Sequence, residues 1–329
     1  MKDKNIILNI ENLVVYYETE NGIIKAVNGI DLKLKKKKSI GLVGETGAGK
    51  TTTALAMLRL IPDPPGVIKS GVIELDGENI LNKNIKELER IRGKDISMIF
   101  QDPMTALNPV FTVGEQIAES ILLHENVSKS EADKRAREML EMVGISGYRV
   151  NDYPHQFSGG MKQRVVIACH TKLLIADEPT TALDVTIQAQ VLELMNDLKE
   201  KYETSLLMIT HDLGIVAKVC DEVAVMYAGR IVEKGTLEEI FNKTKHPYTE
   251  GLFNSLPNIK DRKAMLKPIR GLMPDPANLP VGCTFSPRCL YSTDKCREKK
   301  PFPRWISETH MVECTAYDDP LFHIERGEK

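Results

Sequence analysis

The stretch that most narrows what this chain can fold into is Gly-Glu-Thr-Gly-Ala-Gly-Lys-Thr, residues 44–51. Its glycines let the backbone turn N–H groups inward, a lysine adds a point charge, and a hydroxyl follows. The spacing G-x-x-x-x-G-K-[ST] is that of a loop that cradles phosphates. Before it, Ser-Ile-Gly-Leu-Val-Gly (39–44) reads as a buried strand; after it, the run from Lys50 to Ile61 reads as a helix. Strand, loop and helix in that order aim the positive helix terminus at an anion. Thr46, Gly47, Ala48, Gly49 and Thr52 are the candidate phosphate contacts. Lys50 can reach the β- and γ-phosphates, and the Thr51 hydroxyl can hold Mg²⁺.

A second apolar strand, "LLIADEP" (173–179), ends in two carboxylates. Asp177 is placed to bind the Mg²⁺ through water, and Glu178 to orient and deprotonate an attacking water. Between the two motifs, "HQFSGGMKQR" offers Ser158, Gly159 and Gly160 as another anion-binding helix start. Residues 6–17 read as an early antiparallel strand, 70–80 as a hairpin turning at Asp76-Gly77, and 222–235 as a further hairpin. Residues 112–143 read as helical, with a charged helix from about Ser130.

The bulk numbers restrict the class. A net charge of −2 does not suit a chain built to cling to nucleic acid. No apolar run approaches the roughly 18 residues of a membrane span, and "MKDKNIILNIENL" lacks a signal-peptide core. The expected location is cytosolic, with docking on a membrane through a partner. After Thr244 the prolines become dense, at 247, 257, 268, 274, 276, 280 and 287. A boundary is therefore expected near residue 245, with a small loop-rich extension over 246–329.

In this order the motifs resemble the nucleotide-binding subunit of an ABC transporter. The family's elements run from Walker A (44–51) through Gln101 in "IFQDP", the signature at 158–161, Walker B at 173–178 and "TALD" (181–184) to His211 in "ITHD". The resemblance covers about residues 6–245. It implies an α/β P-loop NTPase fold with a RecA-like core, an antiparallel β subdomain and a helical subdomain at about 102–165. It also implies ATP and Mg²⁺ as cofactors, with Thr51, Gln101 and Asp177 on the metal. Glu178 would be the general base and His211 would touch the γ-phosphate. Tyr17, rather than Tyr16, would stack on adenine. In a head-to-tail dimer Ser158, Gly159, Gly160 and Asp184 would face the partner's nucleotide; Asp184 could equally be a helix N-cap.

Two departures from the family pattern stand out. The signature reads "FSGGM", with Met161 where many members have glutamine. From Ser158 to Asp177 is 19 positions, short by about one helical turn. Either a turn is deleted near Ala168–Cys169 or residues are missing from the chain as written.

The segments "HPYTEGLFNSLP" and "IRGLMPDPANLPVGCTFSPRC" resemble the C-terminal extension of ATPase subunits from oligopeptide, dipeptide and nickel importers. That implies a transport ATPase on the cytoplasmic membrane face. Its implied partners are a second, different ATPase subunit, two membrane permease subunits and an extracellular solute-binding protein. A nickel importer is the alternative, and a soluble ABC ATPase of DNA repair or translation a more distant one. Cys283, Cys289, Cys296 and Cys314 lack the tight knuckle of structural zinc. Four thiolates in a looser loop suit a [4Fe–4S] cluster, against zinc, disulfides or free thiols. Cys169 and Cys220 read as plain buried thiols.

Overall fold

The computed structural model describes residues 4–101, 106–167, 171–181, 183–256 and 268–324. The motifs are carried by the main sheet, whose centre is β3 (Ser39–Val43), buried at every position. A short strand of this kind must be covered on both faces, which suits a parallel sheet. Strand β3 pairs in parallel with both β8 (Ser205–Thr210) and β9 (Glu222–Tyr227). Outward from β8 follow β7 (Leu173–Asp177) and β6 (Ile96–Ile99), also parallel. On the other side β10 (Arg230–Thr236) is antiparallel to β9. It is followed by β12 (Met311–Val312) and β11 (Arg304–Trp305). The carboxyl ends of β3, β6, β7 and β8 therefore lie along one edge, where open α/β sheets place their ligands.

A second, antiparallel sheet has the order β2-β1-β4-β5. It comprises β1 (Ile6–Thr19), β2 (Gly22–Lys35), β4 (Gly66–Leu75) and β5 (Glu78–Asn79). The expected hairpin at Asp76-Gly77 is present, with φ of 50° and 84°. Two successive positive φ values give the primed turn that matches strand twist. Leu8, Ile10 and Leu13 from this sheet join Ile40, Leu42 and the first helix, α1 (Lys50–Met57), in one core. A short helix, α2 (Ile85–Ile91), follows, started by a capping box between Asn84 and Glu87.

The helical part comprises α3 (Val113–His124) and α4 (Lys129–Met142). Helix α3 starts at a Thr112–Glu115 capping box, and α4 at Ser128, whose side chain accepts from the Glu131 N–H. Val113, Ile117, Ala132, Ala136 and Leu140 form a separate small core with Phe157 and Val165. The latter two flank the signature, so this satellite core sets its position. Helix α5 (Gly159–Ile167) follows the signature, and α6 (Val185–Tyr202) and α7 (Leu213–Val219) cover the sheet. The spacing question at Ala168–Cys169 lies outside the described residues.

The extension is joined to the sheet. After α8 (Leu237–Asn242), α9 (Pro247–Asn254) inserts Tyr248 and Phe253 into the core beside α7 and β9. Strand β12 then continues the sheet beyond β10. The junction at 245–246 is held by Glu233, which is fully buried on β10. Its carboxylate accepts from the backbone N–H groups of Lys245 (2.6 Å) and His246 (3.0 Å), and lies 2.8 Å from His310 Nε2. A buried carboxylate is tolerable only with such complete partnering.

His246 caps α9 through Nδ1, which accepts from the Tyr248 N–H at 3.0 Å. Burial pushes its imidazole down from 6.5 to about 3, against the Glu313 backbone hydrogen bond that favours the proton. The folded chain thus refuses a proton that the unfolded chain takes up below pH 6.5. The stability this represents is intact above 6.5 and is lost as pH falls toward 3, by up to about 1.4 kcal/mol per pH unit. Replacing His246 with Asn keeps a capping side chain and removes the titration. Denaturant unfolding of H246N over this window is expected to show an acid slope shallower by about one proton.

Candidate functional site

The phosphate loop closes on itself through Lys50. The Lys50 Nζ donates to the carbonyls of Gly44 (2.7 Å) and Glu45 (3.0 Å). Burial pushes this ammonium down, while Glu178, Asp177 and Glu45 pull the other way. Two glycines are required by contact: a Cβ on Gly44 would strike the Met226 carbonyl, and one on Gly49 the Ala26 carbonyl. Gly49 also has φ 101° and starts α1 with no side-chain cap, leaving the helix N–H groups for a ligand.

Asp177 ends β7 and is buried. Burial pushes its carboxyl up, and a hydrogen bond with Thr51 opposes this. Its Oδ1 is buried with no hydrogen-bond partner. An unpartnered carboxylate oxygen beside a hydroxyl is a hard-oxygen donor pair, and it fits Mg²⁺. Gln101, the third expected metal contact, donates from Nε2 to Glu178 Oε2 at 3.3 Å.

Glu178 stands at φ 46°, a left-handed conformation that is costly for a residue with a Cβ. Its N–H is fixed to the Ile209 carbonyl at 2.8 Å. Besides Gln101, its carboxylate meets the Thr181 hydroxyl (3.1 Å) and His211 Nδ1 (3.1 Å). Burial pushes Glu178 up, but the His211 and Thr181 hydrogen bonds outweigh it, holding the carboxyl below its ordinary range. Gln101, Glu178 and His211 come from three different strand ends and converge. Thr181 opens the "TALD" segment, but its contact with Glu178 was not anticipated.

The signature lies at the start of α5. Ser158 Oγ accepts from the Met161 N–H at 3.4 Å. Gly160 packs so tightly on α6 that a Cβ would fall 2.5 Å from Ile187 Cγ2. Met161 packs into the helical subdomain core, and its Sδ lies 3.5 Å from Arg149 Nη1. Arg149 also covers the Phe157 ring at 4.4 Å and donates to the Gln156 carbonyl. The thioether thus takes a packing role here, and Arg149 had no motif to reveal it. Asp184 caps α6, accepting from the Ile187 N–H at 2.9 Å. Thr46, Gly47, Ala48 and Thr52 lie on the loop and α1. Tyr17 Oη lies 3.4 Å from Thr52 Oγ1, whereas Tyr16 lines a different cavity, with Lys25 and Cys283.

The expected [4Fe–4S] site on Cys283, Cys289, Cys296 and Cys314 is overturned. Among the described residues no group of three or more Cys, His, Asp or Glu side chains is arranged to hold a metal ion. All four are free thiols. Cys283 and Cys289 pack against the apolar core around Phe285. Burial pushes Cys289 and Cys314 up to about 12 and raises Cys283 as well. Cys296 hydrogen-bonds with the Thr315 hydroxyl at 3.1 Å. The cysteines serve as small apolar fillers of the extension. Cys220 is likewise buried, its thiol pushed up to about 12; Cys169 lies outside the described residues.

Comparison with known proteins agrees with this geometry. Residues 27–181 match the ABC transporter family, and residues 232–296 the oligopeptide/dipeptide transporter C-terminal region. The chain is 50% identical to the oligopeptide transport ATP-binding protein OppD of Bacillus subtilis, over 93% of this chain and 87% of that one. It is 46% identical to the dipeptide transport ATP-binding protein DppD of the same organism, over 96% of each. Among solved structures, the dimeric ATP-binding cassette MJ0796 bound to ADP and Pi superposes with a TM-score of 0.62 at 26% identity, over 70% of this chain and 98% of that one. The chain belongs to the family of ATP-binding subunits of ABC-type oligopeptide and dipeptide transporters.

Proposed function

We propose that this chain hydrolyses ATP to drive import of oligopeptides or dipeptides through a membrane permease. The observation that carries the reading is the convergence of Lys50, Asp177, Glu178 and His211 on one sheet edge, beside a phosphate loop. Its relatives are named for peptide transport, which supports peptide over nickel and over a soluble ATPase.

In this reading the loop N–H groups and Lys50 bind the β- and γ-phosphates, with Thr46, Gly47, Ala48, Gly49 and Thr52 lining them. Thr51 and Asp177 would hold Mg²⁺, with Gln101 completing the set. The metal, when bound, offsets charge on the phosphate oxygens. Glu178 is kept ionised by His211 and Thr181, as a proton acceptor must be. It orients a water and takes its proton as the γ-phosphate is attacked. His211, with a side chain 62% exposed, is free to turn toward that phosphate. Tyr17 stacks on the adenine.

We place the division between ATPase domain and extension near residue 245. Ser158, Gly159, Gly160 and Asp184 would meet the nucleotide of a second ATPase subunit, a different chain in the full importer. The dimeric state of the related cassette supports a head-to-tail pair. An extracellular solute-binding protein would select the solute. A groove of about 870 Å³ runs between β6 and α3, lined by Leu60, Met98, Phe100 and Phe111. The exposure of Phe100 and Phe111 supports it as the seat of a permease segment. Among the described residues no helix is long and apolar enough to cross a membrane. A peripheral position on the cytoplasmic face follows from the proposed assembly.

Replacing Glu178 with Gln is expected to lower phosphate release at least about a hundred-fold while MgATP binding, read by calorimetry, is retained. Equal loss of both would contradict a base role. Phe111→Ser is expected to abolish co-purification with the membrane subunits and to leave MgATP affinity within about two-fold of the parent, because the side chain lies on the groove.

A further inference from the structure

Glu45 is an odd residue for its place. It puts a carboxylate next to Gly44, inside a loop whose purpose is to receive an anion. Three constraints hold it. Its carbonyl accepts from Lys50 Nζ and from the Ala48 N–H, at 3.0 and 3.1 Å. Its N–H donates to the Tyr248 hydroxyl at 2.9 Å. Its carboxylate receives both terminal nitrogens of Arg288, at 2.7 and 3.1 Å. The first constraint belongs to the loop itself. The other two come from the extension.

Arg288 is well built for this. Its side chain is only 7% exposed. Nε donates to the Arg270 carbonyl at 3.0 Å, fixing the guanidinium plane. Nη1 lies 3.4 Å from the Tyr227 hydroxyl. Beneath it the rings of Tyr227, Tyr248 and Phe285 pack against one another at 4.6 to 5.4 Å between centroids. A two-pronged arginine–carboxylate pair in such a frame is rigid and only partly screened.

We propose that Arg288 is a positioning residue for nucleotide binding: it cancels the Glu45 charge and holds the loop from behind, so the extension sets ATP affinity without touching ATP. Removing the guanidinium would leave an uncompensated carboxylate on the loop that receives the phosphates. The Coulomb penalty would weaken binding of MgATP more than it slows turnover. Removing the carboxylate as well would relieve that penalty.

The test uses the full chain, with MgATP as ligand, in R288Q, R288K and the double variant E45Q/R288Q. Affinity is read by calorimetry, KM and kcat by phosphate release, and folding by thermal melting. It rests on the nucleotide site described above. Parent-chain binding of MgATP checks that site, and the variants check the clamp. R288Q is expected to raise Kd and KM at least about five-fold with kcat within about two-fold, consistent with loss of a partly buried charge partner. R288K should recover part of this, and E45Q/R288Q most of it. An unchanged KM in R288Q overturns the proposal. So does a double variant as weak as R288Q, because the arginine would then act through packing alone. If R288Q does not fold, the double variant decides: an E45Q/R288Q whose Kd for MgATP stays at least about five-fold above the parent's, although the Glu45 charge is gone, overturns it.

Discussion

A buried ammonium organises this molecule. Lys50 is held off solvent, bonded to two carbonyls of its own loop and attracted by Asp177 and Glu178 across the edge of the sheet. Burying that charge is costly. The cost is offset only because β3 and β7 are adjacent to β8 in one parallel sheet, which brings the loop and the carboxylates together. Everything outside the sheet serves this arrangement. The antiparallel sheet closes the core behind the loop, and the satellite helical core fixes the signature at a distance.

The parts legible in the sequence are those written in consecutive residues. The phosphate loop needs glycines at fixed offsets, and the apolar runs before Gly44 and through Asp177 have no amphipathic alternative. The Asp76-Gly77 hairpin and the helix cap at Asp184 are local signals of the same kind. What was not legible depends on distant residues. Arg288 and Glu45 are 243 positions apart, and nothing in either neighbourhood announces the other. Strands β11 and β12 are two residues each and carry no periodicity. The contact of Gln101 with Glu178 is of the same kind, a partnership determined by how strand ends converge.

The cysteines show how spacing can mislead. Four thiols within a short proline-rich stretch suggest a shared ligand, since little else could order such a segment. The extension does not have to order itself. Tyr248, Phe253 and Phe285 are buried in the ATPase core, and β12 continues the ATPase sheet. Glu233 ties the junction through two backbone N–H groups and His310. With that support the segment is ordered by packing: burial raises the Cys283, Cys289 and Cys314 thiols, and Cys296 hydrogen-bonds to Thr315.

The strand β12 has a consequence for how the chain is made. Strand β10 ends at Thr236, and the strand that covers its open side begins at Met311, about seventy-five residues later. Until then the hairpin exposes a row of free backbone donors and acceptors, the kind of edge on which other chains pair. The phosphate loop, made almost at the outset, likewise waits for its two outer anchors. A chain synthesised through every ATPase motif but not yet through β12 therefore carries a sheet with an unprotected side, which β12 then seals.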